Sequence, residues 1–178
     1  MNHQRISVIG TSGSGKTTLA KQISQRLAIP HIELDALYWE PNWVEVAENV
    51  FQARVLKALS SDRWVVDGNY SPVRDIVWVK ADTIVWLNYS LLVILTRLLW
   101  RTLERSLTQK ELWNGNRETL QKSFFSRDSI LLWAIQTYSK RRKEYPILFT
   151  QPEYSHLKIV ELRSPKNATD WLNNLYSS

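Results

Sequence analysis

The octapeptide Gly10-Thr11-Ser12-Gly13-Ser14-Gly15-Lys16-Thr17 limits what this chain can fold into more than any other feature, because it satisfies G-x-x-x-x-G-K-[ST] between a strand and a helix. Arg5-Ile6-Ser7-Val8-Ile9 before it is short, β-branched and apolar, and reads as a strand. After it, Leu19, Ile23 and Leu27 recur at helical spacing until Pro30 closes the segment. In that setting the glycines let successive backbone N–H groups and the helix N-terminus converge on phosphate oxygens. Lys16 adds a charge between the β- and γ-phosphates, Thr17 offers a hydroxyl to Mg²⁺, and Thr18 follows on the first helical turn. A plain Gly/Ser turn joining a strand to a helix is the competing reading, and the flanking pattern argues against it.

At 178 residues the chain is expected to form one domain, spanning 1–178, with a substantial core. It has no cysteine, which excludes disulfides and thiolate metal sites and suits the cytoplasm. The first strand starts almost at residue 1, so no secretion signal is expected. The apolar run from Ile84 to Leu99 is interrupted by Asn88, Ser90 and Arg97 and falls short of the roughly 20 residues of a membrane span. It reads as a strand followed by a buried helix. The net charge of +6 favours anionic ligands, from nucleotides to nucleic acid, without choosing among them. Of the nine tryptophans, Trp64, Trp78 and Trp86 sit in or beside apolar runs and read as core.

Strand and helix patterns alternate along the chain without repeats or linkers. Strands are expected at His31-Ile32-Glu33-Leu34, Arg63 to Asp67, Thr83 to Leu87 and Leu157 to Leu162. Helices are expected over about Val44 to Leu59, Ser90 to Leu107, Arg127 to Glu144 and Lys166 to Leu175. The polar stretch Thr108 to Glu118, part of a lid-like insertion over about 108–126, reads as mobile. The alternation predicts a parallel sheet covered on both faces, with ligands beyond the carboxyl ends of the strands, where Asp35 and Asp67 fall.

Three features bear on the reaction. Asp67 ends an apolar strand, as a carboxylate that holds Mg²⁺ directly or through water would; a turn-forming Asp-Gly is the alternative. Arg97, Arg101 and Arg105, spaced by four, line one helix face as a stripe suited to phosphates, or as an ordinary solvated basic face. Asp35, followed by Ala36-Leu37-Tyr38-Trp39, is placed to orient or deprotonate an acceptor hydroxyl, or else is a helix cap. No Asn-Lys-x-Asp string for guanine occurs.

These residues carry a resemblance. The loop Gly10 to Thr17, Leu34-Asp35-Ala36-Leu37-Tyr38-Trp39, Trp64-Val65-Val66-Asp67-Gly68-Asn69-Tyr70, Arg97-x-x-x-Arg101 and Arg163-Ser164-Pro165 resemble the adenylate-kinase-related P-loop kinases, specifically the bacterial topology-modulation group. The resemblance implies an α/β three-layer P-loop NTPase sandwich with a five-stranded parallel sheet, order 2-3-1-4-5, and a short lid. It also implies ATP with Mg²⁺, Arg97 near the adenine, Arg101 on phosphates, and the loop of Arg163, Ser164, Pro165 and Lys166 around the base. Arg127, Arg141 and Arg142 lie where the related kinases place phosphate-binding arginines, and Arg141 is the one carried forward as catalytic. Adenylate kinase has Asp-Gly-Phe-Pro-Arg where this chain reads Asp67-Gly68-Asn69-Tyr70-Ser71, which removes that arginine and argues against AMP as acceptor.

Three functions are therefore weighed. The first is an ATP-dependent kinase acting on a small-molecule acceptor, a nucleotide or hydroxylated metabolite, with Lys16, Asp35, Arg101, Arg105 and Arg141 in the chemistry. The others are an ATP-regulated nucleic-acid-binding protein, and an ATPase or nucleotide sensor. No membrane partner is expected, and the chain is expected to be a monomer or homodimer.

Overall fold

The structure, a computed structural model, describes residues 4–108, 111–116 and 130–176. Strand β1 (Arg5–Gly10) lies at the centre of the sheet, and its alternating side chains explain why both faces are covered. Ile6 and Val8 point into one cluster with Val65, Val85, Leu19 and Ile23; Ile9 points into the other with Val66, Ile84, Trp86 and Phe51. The first face is covered by α1 (Lys16–Leu27), α5 (Leu91–Thr108) and α7 (Pro165–Asn173), through residues such as Ala20, Ile94 and Leu172. The second is covered by α3 (Glu48–Ala58), α4 (Arg74–Lys80) and α6 (Ile130–Phe149), through Val55, Trp78 and Tyr145.

Besides β1, the sheet contains β2 (His31–Glu33), β5 (Trp64–Asp67), β6 (Thr83–Leu87) and β7 (Lys158–Leu162), all paired in parallel in the order β2-β5-β1-β6-β7. Counting only these five strands along the chain gives 2-3-1-4-5, the order that the resemblance implied. The register aligns Val8 with Asp67 and Gly10 with Leu87, so the phosphate loop and Asp67 emerge at the same carboxyl edge.

The connections depart from the sequence reading in ways that shape the site. The second strand stops at Glu33, and Leu34–Tyr38 forms a single helical turn, α2, which puts Asp35 in a helix rather than at a strand end. Leu34 turns inward against Gly68, where even a Cβ would come within 2.7 Å of it. The helix expected from Val44 starts only at Glu48, because β3 (Trp39–Glu40) and β4 (Val44–Glu45) pair as an antiparallel hairpin. Its turn is made by Pro41–Trp43, with Asn42 at φ 64. Helix α4 was not expected; Val77 and Trp78 anchor it in the core after the Ser71–Val73 turn. Helix α6 continues past Glu144 through Pro146. Arg127 lies outside the described residues. No helix among the described residues is long and apolar enough to cross a membrane.

Candidate active site

The phosphate loop is shaped by backbone positions that exclude side chains. Gly13, at φ 83, packs so closely on α5 that a Cβ would lie 3.0 Å from the Ile94 carbonyl oxygen and 3.1 Å from the Leu98 Cβ. Gly15, at φ 94, is the left-handed residue from which α1 departs, so the first N–H groups of that helix face the loop. Thr11 is buried; its carbonyl accepts from the Ser14 N–H at 3.0 Å and from Lys16 Nζ at 3.3 Å. Ser12 is half-buried and Thr18 exposed. Burial, reinforced by the Arg141 charge and opposed by Asp35 and Asp67, lowers the Lys16 pKa from 10.5 to about 8. A lysine so destabilised as a cation has strong reason to meet phosphate oxygens.

Asp67 joins β5 to the loop. Thr17 Oγ1 donates to its Oδ2 at 2.6 Å, and His31 Nε2 lies 2.7 Å from its Oδ1. Thr17 and Asp67 thus meet as the hydroxyl and carboxylate that would hold Mg²⁺ beside the phosphates, directly or through water. Among the described residues there is no group of three His, Asp or Glu that would hold a metal unaided. These residues fit an ion that takes its remaining ligands from phosphate and water.

Asn69 fixes the spacing between this strand and the loop. Its Oδ1 accepts from the Gly10 N–H at 3.1 Å while its Nδ2 donates to the Gly10 carbonyl, a two-point amide clamp. Tyr145 Oη, from α6, also reaches Asn69 Oδ1, at 3.3 Å. Asp35, whose carboxylate is within reach of the Lys16 charge, accepts a 2.5 Å hydrogen bond from Tyr70 Oη. Burial raises the Asp35 pKa; the Tyr70 hydrogen bond and the Lys16 charge oppose that shift. The same pair pushes Tyr70 well above its ordinary value, first by burial and then by the Asp35 charge.

The arginines divide. Arg97 donates to the Ser14 carbonyl at 3.1 Å and stacks 5.4 Å from the Tyr89 ring centre, so it braces the loop from α5. Arg101 lies close enough for its charge to act on both Lys16 and Asp35. Arg141 lies close enough for its charge to act on Lys16, whereas Arg142 engages Tyr138, stacking 5.3 Å from its ring centre. The Arg105 side chain lies outside what is described. Arg163, its side chain 75% exposed, pairs with Glu161 at 2.9 Å at the end of β7. Pro165 is the first residue of α7, behind a Ser164 cap. The register places this turn at the same carboxyl edge as the phosphate loop, two strands away.

Residues 113–116, in the stretch expected to be mobile, are docked. Asn116, 3% exposed, accepts from the Trp43 N–H at 2.7 Å and donates to the carbonyls of Glu40 and Trp113 at 2.9 Å. Trp113 Nε1 donates to Glu33 at 2.7 Å, and Asn114 donates to the Trp39 carbonyl at 2.5 Å. These bonds tie residues 113–116 to the β3–β4 hairpin beside Asp35.

Sequence reasoning did not assign roles to His31, Asn69, Tyr70 or Arg74. His31 had a usable signal: it sits two residues before Glu33, so both project on the same face of β2, and β2 pairs in register with the strand ending in Asp67.

The central loop strand, the five-stranded order and the convergence of Lys16, Thr17 and Asp67 at one edge define an α/β P-loop kinase fold. Solved structures share it. A shikimate kinase from Bacteroides thetaiotaomicron aligns over 99% of this chain and 98% of its own, with 20% identity and a TM-score of 0.54. A shikimate kinase from Acinetobacter baumannii, solved in complex with shikimate, aligns over 99% and 92%, with 16% identity and a TM-score of 0.56. A gluconokinase from Sinorhizobium meliloti aligns over 98% and 96%, with 20% identity and a TM-score of 0.51. At these identities the likeness is one of fold. No protein-family model matches the chain, nor does any curated protein.

Proposed function

We propose that the chain is an ATP-dependent kinase that transfers the γ-phosphoryl group to a small hydroxylated or phosphorylated acceptor. The observation that carries this reading is Asp35: a half-buried carboxylate, hydrogen-bonded to Tyr70 and within reach of the Lys16 charge. Hydrolysis alone gives such a group no task. The fold neighbours, small-molecule kinases by name, support the same class.

In this mechanism the Gly10–Thr17 loop and the start of α1 bind the phosphates, and Lys16 places its charge between the terminal two. Thr17 and Asp67 would hold Mg²⁺, directly or through water, with His31 keeping Asp67 in place, and the ion when bound would neutralise further phosphate charge. The acceptor hydroxyl oxygen forms the new bond to the γ-phosphorus as the bond to the β,γ-bridging oxygen breaks, and ADP leaves with that electron pair. The hydroxyl proton passes to Asp35, whose raised pKa suits it to receive one. Arg101 and Arg141 flank the charge that spreads over the transferring group. The docked 113–116 segment closes the hairpin side, and excluding water there favours transfer over hydrolysis.

The test compares Asp35→Asn with the parent for acceptor-stimulated and basal ATP consumption over a metabolite panel, with single- and double-stranded DNA run at the same ionic strength. Selective loss of acceptor stimulation supports the kinase. Equal loss of both rates, or stimulation by DNA alone, overturns it in favour of an ATPase or a nucleic-acid-binding protein.

A further inference from the structure

Helix α6 carries Arg141, yet its backbone loses a hydrogen bond at the turn that follows. Pro146 lies inside the helix, so it gives no N–H to the Arg142 carbonyl four residues earlier, and its ring crowds that carbonyl. Helices bend at such positions unless neighbouring contacts hold them. Tyr145, immediately before the proline, supplies those contacts. The residue is 3% exposed, with its ring 5.7 Å from Trp86 of β6 and 6.1 Å from Trp78 of α4, both edge-on. Its hydroxyl donates to Asn69 Oδ1 at 3.3 Å.

That same oxygen accepts from the Gly10 N–H at 3.1 Å, while Nδ2 of the amide donates to the Gly10 carbonyl. Gly10 opens the phosphate loop, and a Cβ there would lie 2.8 Å from the Leu87 carbonyl oxygen, so the backbone has little freedom to shift. One amide thus ties α6 to the loop. Arg141 precedes Tyr145 by four residues, which places both on one side of the helix. Its charge reaches Tyr145 and, across the site, Lys16. Its Nη1 is buried with no hydrogen-bond partner. A buried donor of this kind is costly until an acceptor arrives, and the acceptors that Lys16 meets are phosphate oxygens.

We propose, on the kinase reading above, that Asn69 and Tyr145 are positioning residues that set Arg141 against the terminal phosphoryl group by tying its turn of α6 to the first residue of the phosphate loop. Neither touches the nucleotide in this scheme; each acts through Gly10 or Arg141. The shared Oδ1 matters because two donors from separate elements converge on it, so the loop and the helix are held in one relative position. Without the Tyr145 hydroxyl the ring still packs, but the turn beside Pro146 is no longer registered to the loop.

The test needs no acceptor. Affinities for ADP and for a non-hydrolysable ATP analogue, both with Mg²⁺, are measured by calorimetry, and their ratio reads the contribution of the terminal phosphoryl group. Arg141→Gln should lower that ratio by about tenfold or more, because a charge-assisted contact is lost. Tyr145→Phe, which keeps every ring contact, should lower it by about three- to tenfold through one hydrogen bond. ADP affinity and the urea midpoint should stay near the parent's. In the Arg141→Gln background Tyr145→Phe should have no further effect, since it acts through that arginine. Asn69→Ala should weaken ADP as well, because Gly10 loses its clamp. A ratio unchanged in Tyr145→Phe or in Arg141→Gln, equal loss of both nucleotides in Tyr145→Phe, or additive effects of the two substitutions overturns the proposal. ADP binding by Asn69→Ala equal to the parent's overturns the part of Asn69. Acceptor-dependent turnover together with a ratio indifferent to Tyr145 removes the positioning and leaves the kinase. The predicted coupling without phosphorylation of any metabolite leaves the positioning and removes the kinase.

Discussion

Raising the pH from 7 to 9 should weaken nucleotide binding by an amount that Lys16 sets. In the empty protein its pKa is lowered to about 8, burial being the first cause and the Arg141 charge the second. Phosphates against Nζ restore the charged form, so above pH 8 binding requires proton uptake. A group with pKa about 8 when free that stays charged throughout this range when bound gives about tenfold weaker affinity at pH 9 than at pH 7, or roughly 1.4 kcal/mol. Uptake should rise from about 0.1 proton at pH 7 to about 0.9 at pH 9. Calorimetry with a non-hydrolysable ATP analogue in two buffers of different ionisation enthalpy reads both quantities. Lys16→Arg, charged throughout this range, should flatten the dependence, and Lys16→Ala should bind poorly at every pH. The empty fold responds in the opposite sense: between pH 8 and 10.5 the unfolded chain holds more protons at Lys16 than the folded one, so this residue's contribution to stability rises with pH. Flat affinity from pH 7 to 9 with no proton uptake in the parent would refute the placement of Lys16 among the phosphates.

Asp67→Asn should leave nucleotide affinity largely intact while raising the Mg²⁺ concentration for half-maximal turnover by about tenfold or more, read by Mg²⁺ titration of both proteins. Asn116→Ala removes the acceptor for the Trp43 N–H; about 1–3 kcal/mol of local destabilisation should appear as faster hydrogen exchange at Trp43. Phe51→Ala, at a fully buried site between Tyr38 and Tyr70, should lower unfolding free energy by about 3–5 kcal/mol in urea titration.

The sheet was legible because most of its strands are short apolar runs bounded by turn residues, and the family resemblance implied which strand is central. Thr83–Leu87, buried at every position, is such a case. What escaped was structure decided by long-range contacts. Val44–Glu45 has no strand signal beyond β-branching at Val44; pairing with Trp39–Glu40 and docking of Asn116 decide its state. Seven-residue α4 is too short for periodicity to declare itself, and Trp78 and Val77 fit a strand equally well. Lys16, Thr17 and Asp67 were readable from the motif and its strand. The side chains around them were not: Asn69 reaches Gly10 across 59 residues, and Trp113 reaches Glu33 across 80. Arg141 and Arg142 differ only in which side of one helix they occupy, and the sequence could not supply that rotation.

The central claim is that phosphoryl groups leave ATP for a small molecule bound between Asp35 and the arginines. Incubating the protein with Mg²⁺, ATP labelled with ¹⁸O in its γ-phosphoryl group, and a complex extract of small metabolites tests it directly by mass spectrometry. The account predicts a labelled phosphorylated product that disappears with Asp35→Asn. Labelled inorganic phosphate as the sole product, unchanged by that substitution, would contradict it.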